Sequence, residues 1–398
     1  MALARPYQSF FLSRPNHALS PTSSGICTSS CHLNNALPIL SSKNYARVQR
    51  KSVVFAAATD ESSSNEAETD NGTRGKGLFS FVTDNPSSRE AIQLPNEPAQ
   101  DGNVGQMIYQ IENKGRDFGS YVQAGDFSWF VRETGFKTSS NGAVVFLHGA
   151  PTQSYSYRDV IVKMAEIGYH CYAPDWLGFG FSEMPEPGDD FAYTEEAYHE
   201  EFDKLLTQLG LDSPFSLVTQ GFIVGSYGLT WALKNPSRLV KLGILNGPLT
   251  ASATLPPVFQ QLRLPFIGEF TCQNAVLAER FVEKGSPYVL ELDDADVYRL
   301  PYLDSSAPGF SLLAATRKAP IKDLASRIAN GFSESWNVPT IVLWGEADKY
   351  LPSSEAVNFA NSNRDVINQV ILDGAGHLPQ EDWPEKVAEG LNSFLGSR

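Results

Sequence analysis

Residues 143–152 read AVVFLHGAPT, a five-residue apolar run followed at once by a His-Gly turn. A short and nearly continuous apolar run indicates a strand that is buried on both faces, as in a parallel sheet. Further runs of this kind follow at residues 170–173, 215–218, 242–245, 340–344 and 369–372. Amphipathic stretches lie between them, at residues 157–167, 194–209, 224–234, 354–361 and 383–394. Strands that alternate with helices predict an α/β fold, with a mostly parallel central sheet and helices on both of its faces.

Two segments depart from this alternation. Residues 107–111 and 127–132 are predicted to form an antiparallel pair of strands that opens the sheet. A long insertion, at about residues 249–335, follows the strand at 242–245, and its pattern is mostly helical with proline-rich turns. We expect this insertion to form a helical cap over the carboxyl ends of the strands, which is the edge where open α/β sheets bind ligands.

The composition excludes several classes of protein. The 398 residues are 42% apolar, with 24 Phe, 15 Tyr and 6 Trp, which is enough for a sizeable core. The net charge is -14 and no Lys/Arg-rich run is present, so nucleic acid is not an expected partner. No stretch approaches the roughly 18 apolar residues of a membrane span. Four cysteines without CxxC spacing exclude a disulfide scaffold and a zinc ribbon, and we predict neither a cofactor nor a metal site.

The first 55 residues differ in composition from the rest of the chain. They contain six basic residues and no acidic one, and they are rich in serine. This composition, without an apolar core of 7–15 residues, is typical of an organelle transit peptide, and the serine content favours the plastid. Its removal leaves 25 basic and 45 acidic residues, a net charge of -20. We therefore predict a chloroplast protein, located in the stroma or at the thylakoid surface.

Residues 56–104 are predicted to be an acidic and largely disordered linker, because they carry many charged and small polar residues. One apolar stretch, Leu78-Phe79-Ser80-Phe81-Val82, interrupts this linker and could dock on the domain or on a partner. From residue 105 to residue 398 the chain is predicted to form one globular domain that includes the cap.

Loops at the predicted strand ends carry the polar residues of the site. They read HGAPT at 148–152, DWLGFGFS at 175–182, WGEAD at 344–348 and GAGH at 374–377. Together they resemble the α/β-hydrolase superfamily, and within it the haloalkane dehalogenase and epoxide hydrolase branch. The resemblance runs from about residue 106 to residue 396, and VYRLPY at 297–302 is similar to the dehalogenase cap. It implies an α/β-hydrolase fold.

The resemblance identifies Asp348 and His377 as the acid and the base of the family. A base histidine needs a carboxylate on its second ring nitrogen to fix its tautomer and orientation. The 29 residues between the two positions cover one helix and one strand, which returns both side chains to the same sheet edge. The resemblance also implies an oxyanion or ligand pocket at Gly149 and Ala150, with a backbone N–H donated by Ala150. Dehalogenases usually have asparagine at the latter position.

The nucleophile position lacks a reactive side chain. Where dehalogenases read Q-D-W-G-G, this chain reads Gln220-Gly221-Phe222-Ile223, so that glycine stands at the position of the nucleophile. Phe222 completes the predicted pocket but has no ring N–H, and Ile223 takes the place of a glycine. Ser226 lies more than one helical turn beyond the strand, and we interpret it as a helix-packing residue. These departures argue against dehalogenation and against acyl-enzyme chemistry.

Two functions remain open at this point. The first is a hydrolase or lyase that uses the His377–Asp348 pair on an apolar small molecule without a side-chain nucleophile. The second is a catalytically inactive fold that binds a ligand or a protein partner. An assembly factor at the thylakoid surface is a weaker third hypothesis, supported only by the linker. Fold alone does not decide among them, because function depends on the site.

Overall fold

The computed structural model describes residues 101–333 and 335–397. The predicted transit peptide (1–55), and the predicted linker as far as residue 100, lie outside the described residues. The first described helix begins at Asp101, four residues before the predicted start of the domain at residue 105.

A mixed sheet of eight strands forms the centre of the described part of the chain, in the order β1-β2-β4-β3-β5-β6-β7-β8. The two pairings of β2 are antiparallel and the other five are parallel. The predicted mostly parallel sheet is thus confirmed. The strands are β1 Gly119–Ala124, β2 Phe127–Thr134, β3 Ala143–Leu147, β4 His170–Pro174, β5 Phe215–Gln220, β6 Leu239–Leu245, β7 Thr340–Gly345 and β8 Ile367–Leu372.

Helices cover both faces of the sheet, and six of the described helices form the cap between β6 and β7. The helices outside the cap are α1 Asp101–Gly115, α2 Arg158–Glu166, α3 Glu195–Gln208, α4 Val224–Lys234, α11 Ser354–Asn361, α12 Pro379–Asp382 and α13 Pro384–Leu395. The cap helices are α5 Pro257–Leu262, α6 Ile267–Thr271, α7 Leu277–Gly285, α8 Leu292–Asp304, α9 Ala307–Lys318 and α10 Ile321–Gly331. Short 3₁₀ helices lie at Ser154–Tyr157 and Pro236–Arg238.

The expected strand at residues 107–111 is wrong, because these residues lie inside α1. The strand that pairs with β2 is β1, which begins at Gly119. A short apolar run does not distinguish a strand from one side of a helix, and here only Ile111 is buried while Ile108 stays 41% exposed. The helix therefore places one apolar face against the domain and leaves the other open.

Alternation along the buried strands divides the core into two layers. In β3, Val144 and Phe146 pack among the side chains of α2 and α13, whereas Val145 and Leu147 face the larger cluster on the opposite side. This follows from the two-residue period of a strand. All four side chains are fully buried. Both faces of the sheet are thus covered, and the carboxyl ends of its strands open towards the cap.

Ion pairs join the cap to the core at two places. Arg158 of α2 contacts Asp294 of the cap at 3.0 Å and Glu381 at 2.7 Å. On the other side, Arg327 of α10 pairs with Glu195 of α3 at 2.5 Å. None of the helices in the described ranges is long and apolar enough to cross a membrane.

Candidate active site

The imidazole of His377 and the carboxylate of Asp348 are hydrogen-bonded, with 2.8 Å between Nδ1 and Oδ2. They lie on the loops that follow β8 and β7, and neither side chain is exposed. Asp348 also accepts hydrogen bonds from the backbone N–H groups of Tyr350 (2.7 Å) and Leu351 (3.1 Å). The carboxylate is thereby fixed, and it holds the imidazole in one orientation.

Asn246 is a residue of the site that sequence reasoning missed. Its side-chain amide donates to Asp348 at 2.8 Å and its carbonyl accepts the backbone N–H of Gly345 at 2.8 Å. Its backbone carbonyl accepts the N–H of Gly221 at 2.9 Å. Asn246 directly follows β6, and a polar residue at the carboxyl end of a buried strand was the signal that could have identified it.

The second ring nitrogen of His377, Nε2, is completely buried and has no hydrogen-bond partner. Aromatic rings surround the imidazole. Phe222 stacks on it with ring centres 5.1 Å apart and an angle of 27° between the planes. Tyr350 and Phe281 approach edge-on at 5.2 and 5.6 Å. The imidazole that a base would use is therefore enclosed by aromatic rings.

Tyr350 closes one side of this aromatic cluster as a neutral residue. Burial raises the pKa of its hydroxyl well above the ordinary value, and the nearby Asp348 carboxylate adds to the rise. The hydroxyl donates to the carbonyl of Phe281 at 2.9 Å. Tyr350 thus joins the loop of the acid to the cap helix α7 and supplies no charge to the site.

Gly221 follows the last residue of β5 and has a positive φ of 85°. A Cβ at this position would lie 3.1 Å from the Cα of Gly149, because the two backbones are in contact. A Cβ at Gly149 would in turn lie 2.6 Å from the carbonyl oxygen of Gln220 and 2.7 Å from Gly221. Only glycines allow the turn after β3 and the turn after β5 to approach this closely.

A second residue of the same turn has strained backbone geometry. Ile223, the residue before α4, has φ 57° and ψ -97°. Positive φ in a β-branched residue is an outlier that costs on the order of 1–3 kcal/mol. Gly221 and Gly225 flank Ile223 with the spacing of a G-x-S-x-G elbow, in which the central residue carries the nucleophile. That spacing offers Ile223 as an alternative to Gly221, and neither residue has a nucleophilic side chain.

The backbone N–H of Ala150, which the resemblance implied as an oxyanion donor, has a partner within the protein. The N–H of Ala150 donates to the carbonyl oxygen of Phe222 at 3.0 Å, and the two residues form an isolated β-bridge. This N–H is therefore already satisfied and does not point at a ligand. Gly149 contributes backbone contact with Gly221 and accepts two hydrogen bonds from Thr152, at 3.0 Å from its N–H and 2.8 Å from its hydroxyl.

Ser226 lies in the first turn of α4, and its hydroxyl is buried without a hydrogen-bond partner. It lines a small apolar pocket with Phe222, Ile223 and residues of α10 such as Ile328. Among the described residues, no group of three or more His, Cys, Asp or Glu side chains could hold a metal ion.

Comparison with known proteins agrees with this fold. A family model described as "alpha/beta hydrolase fold" matches residues 142–384. The chain is 32% identical over 278 residues to a cis-3-alkyl-4-alkyloxetan-2-one decarboxylase of Xanthomonas campestris. The aligned region covers 65% of this chain and 89% of that protein. It is 29% identical over 258 residues to a haloalkane dehalogenase of Mycolicibacterium paratuberculosis, which covers 63% of this chain and 82% of that protein.

Solved structures show the same likeness. A haloalkane dehalogenase from Bradyrhizobium elkani has a TM-score of 0.60 at 24% identity and covers 70% of this chain and 97% of that one. Another, from Agrobacterium tumefaciens, has a TM-score of 0.59 at 24% identity and covers 71% and 98%. The protein therefore belongs to the α/β-hydrolase fold family and has haloalkane dehalogenase-like relatives.

Proposed function

We propose that this protein is a catalytically silent α/β-hydrolase fold, which acts in the chloroplast as a ligand-binding or protein-interaction module. The observation that carries the proposal is the closure of His377, whose Nε2 is buried without a partner while the Phe222 ring stacks on the imidazole. A general base must come within about 2.6–3.2 Å of the proton that it takes, directly or through one water. A completely buried Nε2 leaves no room for that water.

Two parts of the family's chemistry are lost together, and the stacked ring of Phe222 adds a further barrier, which supports the same proposal. No side-chain nucleophile stands at Gly221 or Ile223. The Ala150 N–H is used by a protein carbonyl, and one lost oxyanion donor alone costs about 10²–10³ in rate. Opening the site would also displace Phe222, whose buried ring contributes on the order of 2–3 kcal/mol. Each of these changes raises the same reaction barrier, so the reductions in rate that they cause are multiplied together.

The His377–Asp348 pair has a structural task that does not require catalysis. The backbone N–H of His377 donates to the carbonyl of Gly285, the last residue of cap helix α7, at 2.9 Å. The side-chain amide of Gln220 donates to the His377 carbonyl at 3.0 Å. In the proposed function, the pair fixes the two loops that hold the cap on the sheet.

A second function, a hydrolase or lyase acting on an apolar molecule, is favoured by the unpartnered Nε2. Leaving a buried polar atom unpaired costs about 1–3 kcal/mol, which a purely structural histidine has no reason to carry. The Xanthomonas relative is named as a decarboxylase of alkyl-substituted oxetan-2-ones, which are apolar β-lactones. In this alternative, His377 takes a proton from a water whose oxygen bonds to the lactone carbonyl carbon. The acyl C–O bond of the ring then breaks, and His377 returns the proton to the leaving ring oxygen, which gives the β-hydroxy acid. The reaction requires that Phe222 first moves aside.

One set of assays separates the two functions. Wild type, His377→Ala and Phe222→Ala are incubated with an alkyl β-lactone, a p-nitrophenyl ester and short haloalkanes, and products are measured by mass spectrometry and halide release. We expect no turnover by wild type above a heat-killed control. We also expect His377→Ala to lower the melting temperature and to increase hydrogen exchange in α7. Turnover by wild type that disappears in His377→Ala would establish the enzymatic alternative.

The location in the chloroplast is part of the proposal and rests on the composition of residues 1–55. A fusion of residues 1–60 to a fluorescent protein is expected to enter plastids. Sequencing of the protein recovered from the organelle is expected to find an N-terminus between about residues 56 and 62. Recovery of intact Met1 from plastids would contradict the cleavage, and a cytosolic fusion would contradict the targeting.

A further inference from the structure

A groove of about 580 Å³ lies between the first helix and the cap, apart from the His377 site, with which it shares no lining residue. Its volume falls within the range of about 300–1,000 Å³ that is usual for ligand sites. Its walls come from α1, from the loop after β4, and from the cap helix α8. The apolar side chains that form these walls are Ile108, Ile111, Phe181, Met184, Leu300 and Leu303.

Part of this apolar lining is open to solvent. Ile108 is 41% exposed and Leu303 is 52% exposed, while Tyr121 of β1, at the edge of the sheet, is 56% exposed. These three side chains belong to three different elements that meet at one groove. A cluster of large apolar side chains that remains uncovered marks a surface with a binding partner.

The groove is acidic at its polar positions. It is lined by three carboxylates, Glu112, Asp296 and Asp304, and by one basic side chain, Arg116. Arg116 lies 3.7 Å from Glu112, and Asp296 is paired with Arg299 of the same helix at 2.7 Å. Asp304 is exposed at the end of α8. Of these three carboxylates, Asp304 has no ion pair among the described residues, so the groove suits an occupant that combines apolar side chains with a positive charge near Asp304.

We propose that the occupant is a segment of this same chain, residues 74–82, which read RGKGLFSFV. Two basic residues, Arg74 and Lys76, immediately precede the apolar run, and Arg89 is the only other basic residue among residues 56–104. Phe79 and Phe81 are two residues apart, so an extended backbone directs both rings to the same side. The rings match the apolar walls, and the basic residues match the unpaired carboxylate of Asp304.

The chain length permits this docking. Eighteen residues separate Val82 from Asp101, the first residue of α1. They can span at most about 60 Å, and the seven residues from there to Ile108 add about 10 Å of helix. A tether of this length also raises the effective concentration of the segment at the groove into roughly the millimolar range. The segment remains in the chain after the predicted cleavage near residue 55, and the inference does not depend on the proposed function.

Disulfide trapping in the full chain tests the inference. The background carries Cys27→Ser and Cys31→Ser, while Cys171 and Cys272 are buried and stay in place. Ser80→Cys is combined with Leu303→Cys in the groove or, as the matched control, with Val370→Cys on β8, which is 41% exposed. We expect the groove pair to cross-link roughly tenfold faster or more than the control pair, because docking concentrates the segment there. The combined substitutions Phe79→Ser and Phe81→Ser are expected to lower the cross-linking rate of the groove pair to that of the control pair.

A second measurement does not depend on cross-linking geometry. Hydrogen exchange of α1 and α8, and binding of an environment-sensitive apolar dye, are compared between wild type and the Phe79→Ser/Phe81→Ser variant. We expect faster exchange and increased dye binding in the variant, and loss of the added dye binding when Leu303→Asp is introduced. Equal cross-linking rates for the two cysteine pairs, or unchanged exchange and dye binding in the variant, would overturn the proposal. In that case the groove is free for a small ligand or for another protein.

Discussion

Replacement of Gly221 by alanine tests whether the turn after β5 is built on backbone contact. Gly221 has φ 85°, and an added Cβ would lie 3.1 Å from the Cα of Gly149. Gly142 offers a matched control, because its φ is also 85° but no atom lies within 4 Å of the added Cβ. The two substitutions thus share backbone strain and differ in crowding.

The expected magnitudes follow from this difference. An L-residue in left-handed geometry costs roughly 1–2 kcal/mol, and the lower entropy of the unfolded alanine chain returns about 0.4–1 kcal/mol. Gly142→Ala should therefore reduce the free energy of unfolding by roughly 0.5–1 kcal/mol. Gly221→Ala adds compression against a backbone atom, which costs about 1–3 kcal/mol in a well-packed interior. We expect its total cost to be about 2–4 kcal/mol.

Thermal melting and urea titration of wild type and both variants measure these costs. At about 2 °C per kcal/mol for a domain of this size, Gly221→Ala should melt roughly 2–6 °C below Gly142→Ala. Equal midpoints, or a smaller loss in Gly221→Ala, would refute the contact with Gly149. Gly221→Ser should share the loss and gain no esterase activity, because its Cβ is directed at Gly149. Hydrolysis of p-nitrophenyl acetate by this variant would show that position 221 reaches His377.

Three further results are expected. Burial raises the pKa of Glu195, but the Arg327 guanidinium and a threonine hydroxyl outweigh it and lower the pKa from 4.5 to about 2. Glu195→Gln should therefore cost about 1.5–3 kcal/mol at pH 7. Because the pKa of Glu195 is lower in the folded protein than in the unfolded chain, its carboxylate stabilises the protein fully above about pH 4.5, and this contribution disappears as the pH falls towards 2. The difference in melting temperature between wild type and Glu195→Gln, measured at pH 7, 5 and 3, should therefore be smallest at pH 3. Burial raises the pKa of Cys171 to about 12 and of Cys272 to about 11, so neither thiol should react with iodoacetamide at pH 8 until the protein unfolds, in a chain whose N-terminal cysteines are serine. Asn246→Ala should lower the free energy of unfolding by about 2–3 kcal/mol, because it leaves the buried hydrogen-bond partners of the amide unsatisfied. Urea titration measures this loss.

The sequence was sufficient for the architecture and for the pairing of His377 with Asp348. Short apolar runs alternate with amphipathic stretches, and this local period specifies buried strands and covering helices wherever the chain lies in space. Parallel strands bring their carboxyl ends to one edge, so two polar residues that each follow a strand must come close. The family resemblance identified His377 and Asp348 as a pair, the order of elements places both at one edge, and in the structure they lie 2.8 Å apart.

The sequence was ambiguous where a local pattern fits two structures. Residues 107–111 are apolar enough for a strand but lie in α1, because helix or strand depends on the surface that covers them. The comparison of sequence motifs assigned the nucleophile position to Gly221, whereas the spacing of Gly221 and Gly225 also fits Ile223. Only the backbone angles reveal that both have positive φ.

Tertiary structure alone decided that the site is closed. The Ala150 N–H is used by the Phe222 carbonyl only because the turns after β3 and β5 approach to backbone contact. The Phe222 ring stacks on His377 only because cap residues such as Phe259 and Phe281 pack on it, at 5.7 and 6.3 Å between ring centres. These contacts join residues far apart in the chain, and their geometry depends on packing of the cap against the sheet rather than on any local period.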